Sequence, residues 1–281
     1  MASETISFTK MHGCGNDFIM IDGRKGLAGQ EGIDVSKLTA ALCDRRRGLG
    51  GDGMIVLLPA RTDADFTMLY INSTGAVGEM CGNGARCAAR FAYDIGAAGR
   101  DMRFDTDAGI VTARIGENDV TIDMPPPRDI ELGMTLEIEG KPMTVHYALV
   151  GVPHAVVFVD DLDNFPVDRI GALVRHHAVF PRGANANFVS VKDGIAMRTF
   201  ERGVEAETLA CGTGSVAVAT ICHLLGHCGL NVRIRTGGGD WLAISLEREG
   251  ERFTRATLTG PTETVGTGAI NPAFLDRREL A

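Results

Sequence analysis

Two Cys-Gly-x-Gly turns, Cys81-Gly82-Asn83-Gly84 and Cys211-Gly212-Thr213-Gly214, join residue types and a spacing that could do chemistry. Each opens an alanine-rich run that reads as a buried helix, Ala85–Ala92 in the first and Ser215–Cys222 in the second. A thiol at a helix N-terminus meets unsatisfied N–H groups and the positive end of the helix dipole, which both favour thiolate. The N–H groups of Gly82 and Asn83, and of Gly212 and Thr213, would make an anion cradle suited to a carboxylate. With a Cα–H beside that carboxylate, one thiolate could remove the proton while the opposite thiol delivers one to the other face. The helix ends would stabilise the charge that builds up in the carbanionic transition state. Such acid–base work near neutral pH requires two unequally protonated thiols.

The elements around the turns repeat as well. At the offset that relates Cys81 to Cys211, Met68-Leu69-Tyr70-Ile71-Asn72 aligns with Arg198-Thr199-Phe200-Glu201-Arg202. At the same offset Arg103-Phe104-Asp105-Thr106 aligns with Arg233-Ile234-Arg235-Thr236. A period of half the chain is too long for a solenoid and predicts two similar domains, with the cysteine turns facing each other across a cleft. Pro125-Pro126-Pro127 is the strongest boundary signal, since three prolines cannot continue a central strand or a helix. The expected division is residues 1–125 and 126–270, with 271–281 returning to the first domain. A first strand is expected at Thr5–Thr9, a Gly-rich loop at Lys10–Phe18, and helices at Ser36–Asp44 and Ile170–His177. The helices are too few to cover a parallel sheet on both faces. The fold class is therefore α+β: two pseudo-symmetric domains, each a curved mixed sheet wrapped around a central helix.

The 281 residues, 44% hydrophobic and 23% charged, suit a soluble globular protein with a substantial core. A formal net charge of −8 argues against a nucleic-acid-binding surface and against anionic membranes. No apolar run is long enough to span a bilayer and the first residues carry no secretory pattern, so a cytoplasmic location is expected. Seven cysteines without a CxxC pair favour thiols over a disulfide framework. No metal site is expected; the local set Cys222, His223, His227 and Cys228 reads as a solvated helix end.

The strings KMHGCGNDF (10–18), EMCGNGARC (79–87), GVPH (151–154), GANANF (183–188) and ERGVEAETLACGTG (201–214) resemble diaminopimelate epimerases. The similarity runs from Phe8 to about Pro261. This resemblance implies epimerisation of LL-diaminopimelate to meso-diaminopimelate, for lysine and peptidoglycan synthesis, without pyridoxal phosphate or other cofactor. It implies a small-molecule amino-acid substrate and a homodimer, with no nucleic-acid or membrane partner. Carried over position by position, Cys81 and Cys211 match the two catalytic thiols, and Gly82, Asn83, Gly212 and Thr213 the binders of the reacting carboxylate. Asn16, Asn72, Asn185, Glu201 and Arg202 match positions that hold the substrate, and His154 and Glu201 those that tune the thiols. The chain departs from the family pattern at Thr74 and Val77, where acidic residues are common, at Val152, where many members have Asn, and at Gly53, where some have Gln.

Blander readings accompany the sharper ones. Cys14, Cys43, Cys87 and Cys222 read as small core residues, His12 as a loop stabiliser and Trp241 as a core or interface aromatic. Arg45-Arg46-Arg47 reads as a solvated helix end bonding local carbonyls. Two other functions fit the cysteine turns: racemisation of another amino acid such as histidine, and non-catalytic anion binding.

Overall fold

Residues 5–26, 34–78 and 80–275 are described by a computed structural model, in which the chain divides into two compact units. The first comprises Met1–Ile122 and Pro261–Ala281, the second Asp123–Gly260.

The first unit runs β1 (Ser7–Gly13), β2 (Asn16–Asp22), α1 (Val35–Cys43), β3 (Gly53–Leu58), β4 (Phe66–Asn72), β5 (Val77–Gly78), α2 (Gly82–Asp94), β6 (Asp101–Thr106), β7 (Gly109–Ile115) and β8 (Asp119–Met124). The second runs β9 (Arg128–Ile138), β10 (Lys141–Val150), β11 (Val152–Phe158), α3 (Val167–Arg175), β12 (Asn185–Ser190), β13 (Ile195–Glu201), β14 (Ala206–Thr208), α4 (Gly212–Leu224), β15 (Asn231–Arg235), β16 (Trp241–Glu249) and β17 (Arg252–Pro261). The chain ends with β18 (Glu263–Ala269) and the single turn α5 (Pro272–Leu275).

From β1 and from β10 onward the two units repeat one topology. An antiparallel pair, β1–β2 or β10–β11, feeds α1 or α3, which crosses over to a parallel neighbour, β3 or β12. An antiparallel strand follows, β4 or β13, and then α2 or α4 crosses over to the parallel β6 or β15. Both cysteine helices are 13 residues long, and both end with the same pair of backbone bonds, Ile95 and Gly96 in one and Leu225 and Gly226 in the other. The fold is thus α+β with duplicated mixed-sheet halves.

Composition explains the two helix environments. The outer helices are amphipathic: Leu38 and Leu42 of α1 pack on Ile19, Ile21, Met54 and Val56, and Val167, Ile170 and Val174 of α3 on Val157, Phe188 and Phe200. The cysteine helices are buried on nearly every side. α2 lies against β1, β2, β3, β4 and β7 of its unit, and α4 against β10, β11, β12, β13, β15 and β16 of its own. Alanine is the best helix former and its small side chain lets strands come close, so Ala85, Ala88, Ala89 and Ala92 are all fully buried.

Several expectations change. The expected loop at Lys10–Phe18 is a tight hairpin: β1 continues to Gly13 and β2 resumes at Asn16. Its two turn residues, Cys14 and Gly15, both have positive φ (55° and 79°), which suits the twist of adjoining strands but lacks the usual Asn-Gly signature. The C-terminal return starts at Pro261, earlier than the expected residue 271, because β18 pairs with β1 from Ser7–Ala269 to His12–Glu263. Beyond it Ile270 N–H bonds Ile6 O; residues 276–281 of the expected return lie outside the described residues. Trp241 is 42% exposed with the Arg233 guanidinium over its ring, so it is not a core aromatic. No helix of the described residues is long and apolar enough to cross a membrane.

Candidate active site

In the first unit Cys81 caps α2 in extended conformation (φ −131°, ψ 122°). Its thiol donates to Asn16 Oδ1 at 3.5 Å, and Asn83 Nδ2 donates to the same oxygen at 3.3 Å. Asn16 Nδ2 in turn donates to Asp52 Oδ2 at 2.7 Å, and Asp17 N–H to that oxygen at 3.1 Å. Arg45 bridges Asp52 (2.8 Å) and Asp17 (2.7 Å), and Lys10 pairs with Asp17 at 2.6 Å. Burial alone would raise the Asp17 carboxyl, but hydrogen bonds and charge from Arg45 and Lys10 outweigh it and hold the group well below the usual carboxylate range. Arg45 therefore anchors acidic side chains, in place of the helix-end carbonyls expected for it.

On the opposite side of Asn83 lies Arg86, whose side chain is fully buried. It donates to Asn83 Oδ1 (2.9 Å), Gly82 O (3.3 Å) and Cys14 Sγ (3.3 Å), while its Nε has no partner among the described residues. Asn72 adjoins this group through the backbone, where Ser73 N–H donates to Asp52 O at 3.0 Å, but its side chain is engaged locally. Its Oδ1 accepts from Thr74 N–H, Thr74 Oγ1 and Ala76 N–H, closing the 72–77 loop on itself. Gly53 leaves no room for a side chain: a Cβ would stand 2.6 Å from Ile71 O and 2.8 Å from the Tyr70 ring.

In the second unit Cys211 caps α4 in nearly the same conformation (φ −119°, ψ 111°), but its neighbours differ. Its sulfur lies 3.7 Å from Thr213 Oγ1 and hydrogen-bonds the Glu201 carboxyl. Glu201 Oε1 also accepts from Thr208 Oγ1 at 2.6 Å. Burial raises the Glu201 carboxyl, and the bonds from Thr208 and Cys211 offset only part of that rise. His154, fully buried, sits opposite Asn185 across β11 and β12. Burial, reinforced by the charge of Arg202, pushes its imidazole down to about 3, so the ring is neutral at physiological pH. Asn187 Nδ2 faces His154 Nδ1 at 3.3 Å, which leaves the ring proton on Nε2, an atom without a partner among the described residues. Asn185 Oδ1 accepts from Arg202 N–H at 2.8 Å and its Nδ2 donates to Pro153 O at 3.2 Å, while the Arg202 guanidinium reaches Arg182 O at 3.2 Å.

The second glycine of the cysteine turn has a structural cause in this unit. A Cβ at Gly214 would stand 2.4 Å from Asn187 Oδ1 and 3.1 Å from Cys211 Sγ. Asn187 itself was not expected at the site. The strict alternation Ala184-Asn185-Ala186-Asn187 could have revealed it, since period two puts both asparagines on one face. Arg86 carried a signal too: a guanidinium near the start of an alanine-rich buried run demands partners.

The remaining cysteines differ in kind. Burial pushes Cys87 and Cys222 up to about 12 and Cys43 to about 11, values of inert core thiols. His223 is engaged on both ring nitrogens, with Cys228 O and Arg248, and no group of three or more potential metal ligands occurs among the described residues.

A family model described as "Diaminopimelate epimerase" matches residues 8–130 and 146–265. Curated relatives of that name include proteins of Hydrogenobaculum sp. (strain Y04AAS1), 40% identical over 94% of this chain and 98% of the relative, and of Archaeoglobus fulgidus, 41% identical over 94% and 96%. Among solved structures, a phenazine biosynthesis protein of the PhzF family from Bacillus anthracis superposes with a TM-score of 0.76 at 15% identity, over 95% of this chain and 99% of that one. A probable proline racemase from Agrobacterium radiobacter K84 gives 0.72 at 19% identity, over 98% and 95%. At such identities these two likenesses speak for the fold alone.

Proposed function

The chain belongs to the diaminopimelate epimerase family, a family of isomerases, and from that premise we propose that it interconverts LL- and meso-diaminopimelate with Cys81 and Cys211 as its two acid–base groups. The observation that carries the reading is the duplicated helix start: a cysteine at the N-cap of each of two matched helices. In the forward direction one thiolate removes the α-proton and the other thiol returns a proton to the opposite face, so the stereocentre inverts. N–H groups of Gly82, Asn83, Gly212 and Thr213 bind the reacting carboxylate and take up the charge that develops on it. Asn16, Asn72, Asn185, Glu201 and Arg202 hold the rest of the substrate, and a guanidinium suits a distal carboxylate through its fork of donors. Glu201 and His154 tune the Cys211 side. Glu201 with a raised proton affinity can exchange a proton with the thiol, whereas neutral His154 adds no positive charge. The chemistry needs no pyridoxal cofactor, and on the same family reading the enzyme acts as a cytoplasmic homodimer.

The relatives named diaminopimelate epimerase favour this substrate over another amino acid, and the fold likeness to a proline racemase does not counter them. The test is incubation with LL-diaminopimelate in deuterated water followed by chiral analysis. Deuterium should enter at the α-carbon with formation of the meso isomer, and both should vanish in Cys81→Ala and Cys211→Ala. Exchange into a different amino acid but not into diaminopimelate would overturn the substrate. Unchanged exchange in either variant would overturn the thiol pair.

A further inference from the structure

Two side-chain amides stand between Cys81 and two charged groups, and neither charged group has been given a role so far. We propose that Asp52 and Arg86 are positioning residues that lock the amides of Asn16 and Asn83, so that the Cys81 thiol always faces a carbonyl oxygen and never an amide N–H. A carboxylate only accepts, so the Asn16 atom 2.7 Å from Asp52 Oδ2 must be its NH2 group. A guanidinium only donates, so the Asn83 atom 2.9 Å from Arg86 must be its carbonyl oxygen. Asn83 then turns its NH2 toward Asn16, and Asn16 turns Oδ1 toward both Asn83 and the Cys81 sulfur. Neither amide can flip without setting like against like at a charged partner.

The two anchors are themselves held. Asp52 is gripped by Arg45, which also binds Asp17, and Lys10 binds Asp17 from the other side. Arg86 is fully buried, with donors to Gly82 O and toward Cys14 Sγ. Among the described residues the Cys87 thiol also stands near enough to interact electrostatically with Cys14, Cys81 and Arg86. A carbonyl facing the sulfur favours the thiol over the thiolate and so opposes the pull of the helix N-terminus until a ligand alters the contact. The importance of that bias for turnover rests on the epimerase reading; the amide orientation does not.

The experiment is alkylation of Cys81 with iodoacetamide from pH 6 to 9.5, followed by peptide mapping, in the ligand-free protein. Asp52→Ala removes the stronger of the two anchors and leaves the Asn16 amide held only by the Asn83 NH2 at 3.3 Å. Its oxygen then faces the sulfur less of the time, so the Cys81 profile should move to lower pH, with about tenfold faster alkylation at neutral pH. Asp52→Asn can still present an oxygen to Asn16 Nδ2 and Asp17 N–H. Its NH2 then displaces the exposed Arg45 guanidinium, which keeps its pair with Asp17, so the profile should return to within about twofold of the parent. An unshifted profile in Asp52→Ala, or equal shifts in Asp52→Ala and Asp52→Asn, would overturn the proposal. The second result would mean that the charge of Asp52 acts directly. Asp52 has a side chain 42% exposed, so its truncation leaves no core cavity; Asp52→Ser supplies the same reading if the alanine variant fails to fold. Shifted alkylation without deuterium exchange into diaminopimelate would sink the epimerase reading and leave the amide lock standing. Exchange with unshifted alkylation would do the reverse.

Discussion

Cys81 and Cys211 each cap a 13-residue helix with extended backbone, yet Cys81 donates to a neutral amide and Cys211 bonds a carboxyl. In the first unit the charged groups around the amide are fixed: Asp17 sits well below its usual range between Arg45 and Lys10, and a guanidinium such as that of Arg86 carries its charge throughout. In the second unit the groups are poised or silenced. Glu201 is raised by burial and His154 is held neutral. Duplication therefore kept the backbone device, a thiol at a helix start, and let the side chains diverge into a fixed half and a titrating half. On the proposed reading one thiol must bear a proton while the other does not, and unequal surroundings serve that division.

The comparison breaks most sharply at Glu201. Glu201→Gln keeps the shape and removes the proton exchange, so kcat for epimerisation should fall by about 100-fold with KM changed far less. A loss below about threefold would mean that the second half does not titrate in turnover. Next in size is the loop before each cysteine, where Gly75 (φ 89°) and Glu205 (φ 58°) occupy matching positions of the repeat. At Gly75 a Cβ would stand 2.7 Å from Ser36 O, so Gly75→Ala should lower unfolding free energy by about 2 kcal/mol in urea titrations.

His154 gives a pH signature. Its folded value, about 3, lies below the ordinary 6.5, so its contribution to stability is complete above pH 6.5 and is lost as pH falls toward 3. The parent should lose about 1.4 kcal/mol per pH unit through this group between pH 6 and 4, a slope that His154→Gln should lack in denaturant titrations. Equal slopes would mean that His154 titrates normally. The smallest effect is expected at Glu205→Gly. Relief of the left-handed backbone offsets loss of the exposed contacts to Arg175 and His176, leaving stability within about 0.5 kcal/mol of the parent. A larger loss would show that the acidic side chain, absent from the first half, has become structural.

Much of this was legible in the residues. The helix starts at Gly82 and Gly212 follow from small residues after a cysteine and an alanine-rich run. The first helix begins at Asp34, whose carboxylate accepts from Ser36 and Lys37 N–H as an N-cap should. The hairpin at Cys14-Gly15 was not legible, because the positive φ at Cys14 is imposed by pairing of β1 with β2 and not by its own preference. The return of β18 to β1 was equally hidden, since strand pairing between the two ends of a chain leaves no local pattern. At the site, Asn16 and Asn83 could be named from motif position. The link from Asn16 to Asp52 and from Asp17 to Arg45 could not, because those partners lie far apart in the chain, whereas Arg86 stands one helical turn from Asn83.

By itself the sequence determined the duplicated cysteine turns, the helix that follows each, the two-domain plan and the family. Those depend on local propensity and on a repeat that survives along the chain. Only the tertiary structure decided what each thiol meets. It turned an amide oxygen toward Cys81 and the Glu201 carboxyl toward Cys211, and it buried His154 deeply enough to keep it neutral. The physical reason is that hydrogen-bond direction and desolvation are set by neighbours in space: Cys81 meets Asn16 from a strand far away in the chain, and Cys211 meets Glu201 only because β13 and β14 fold back beside the helix start.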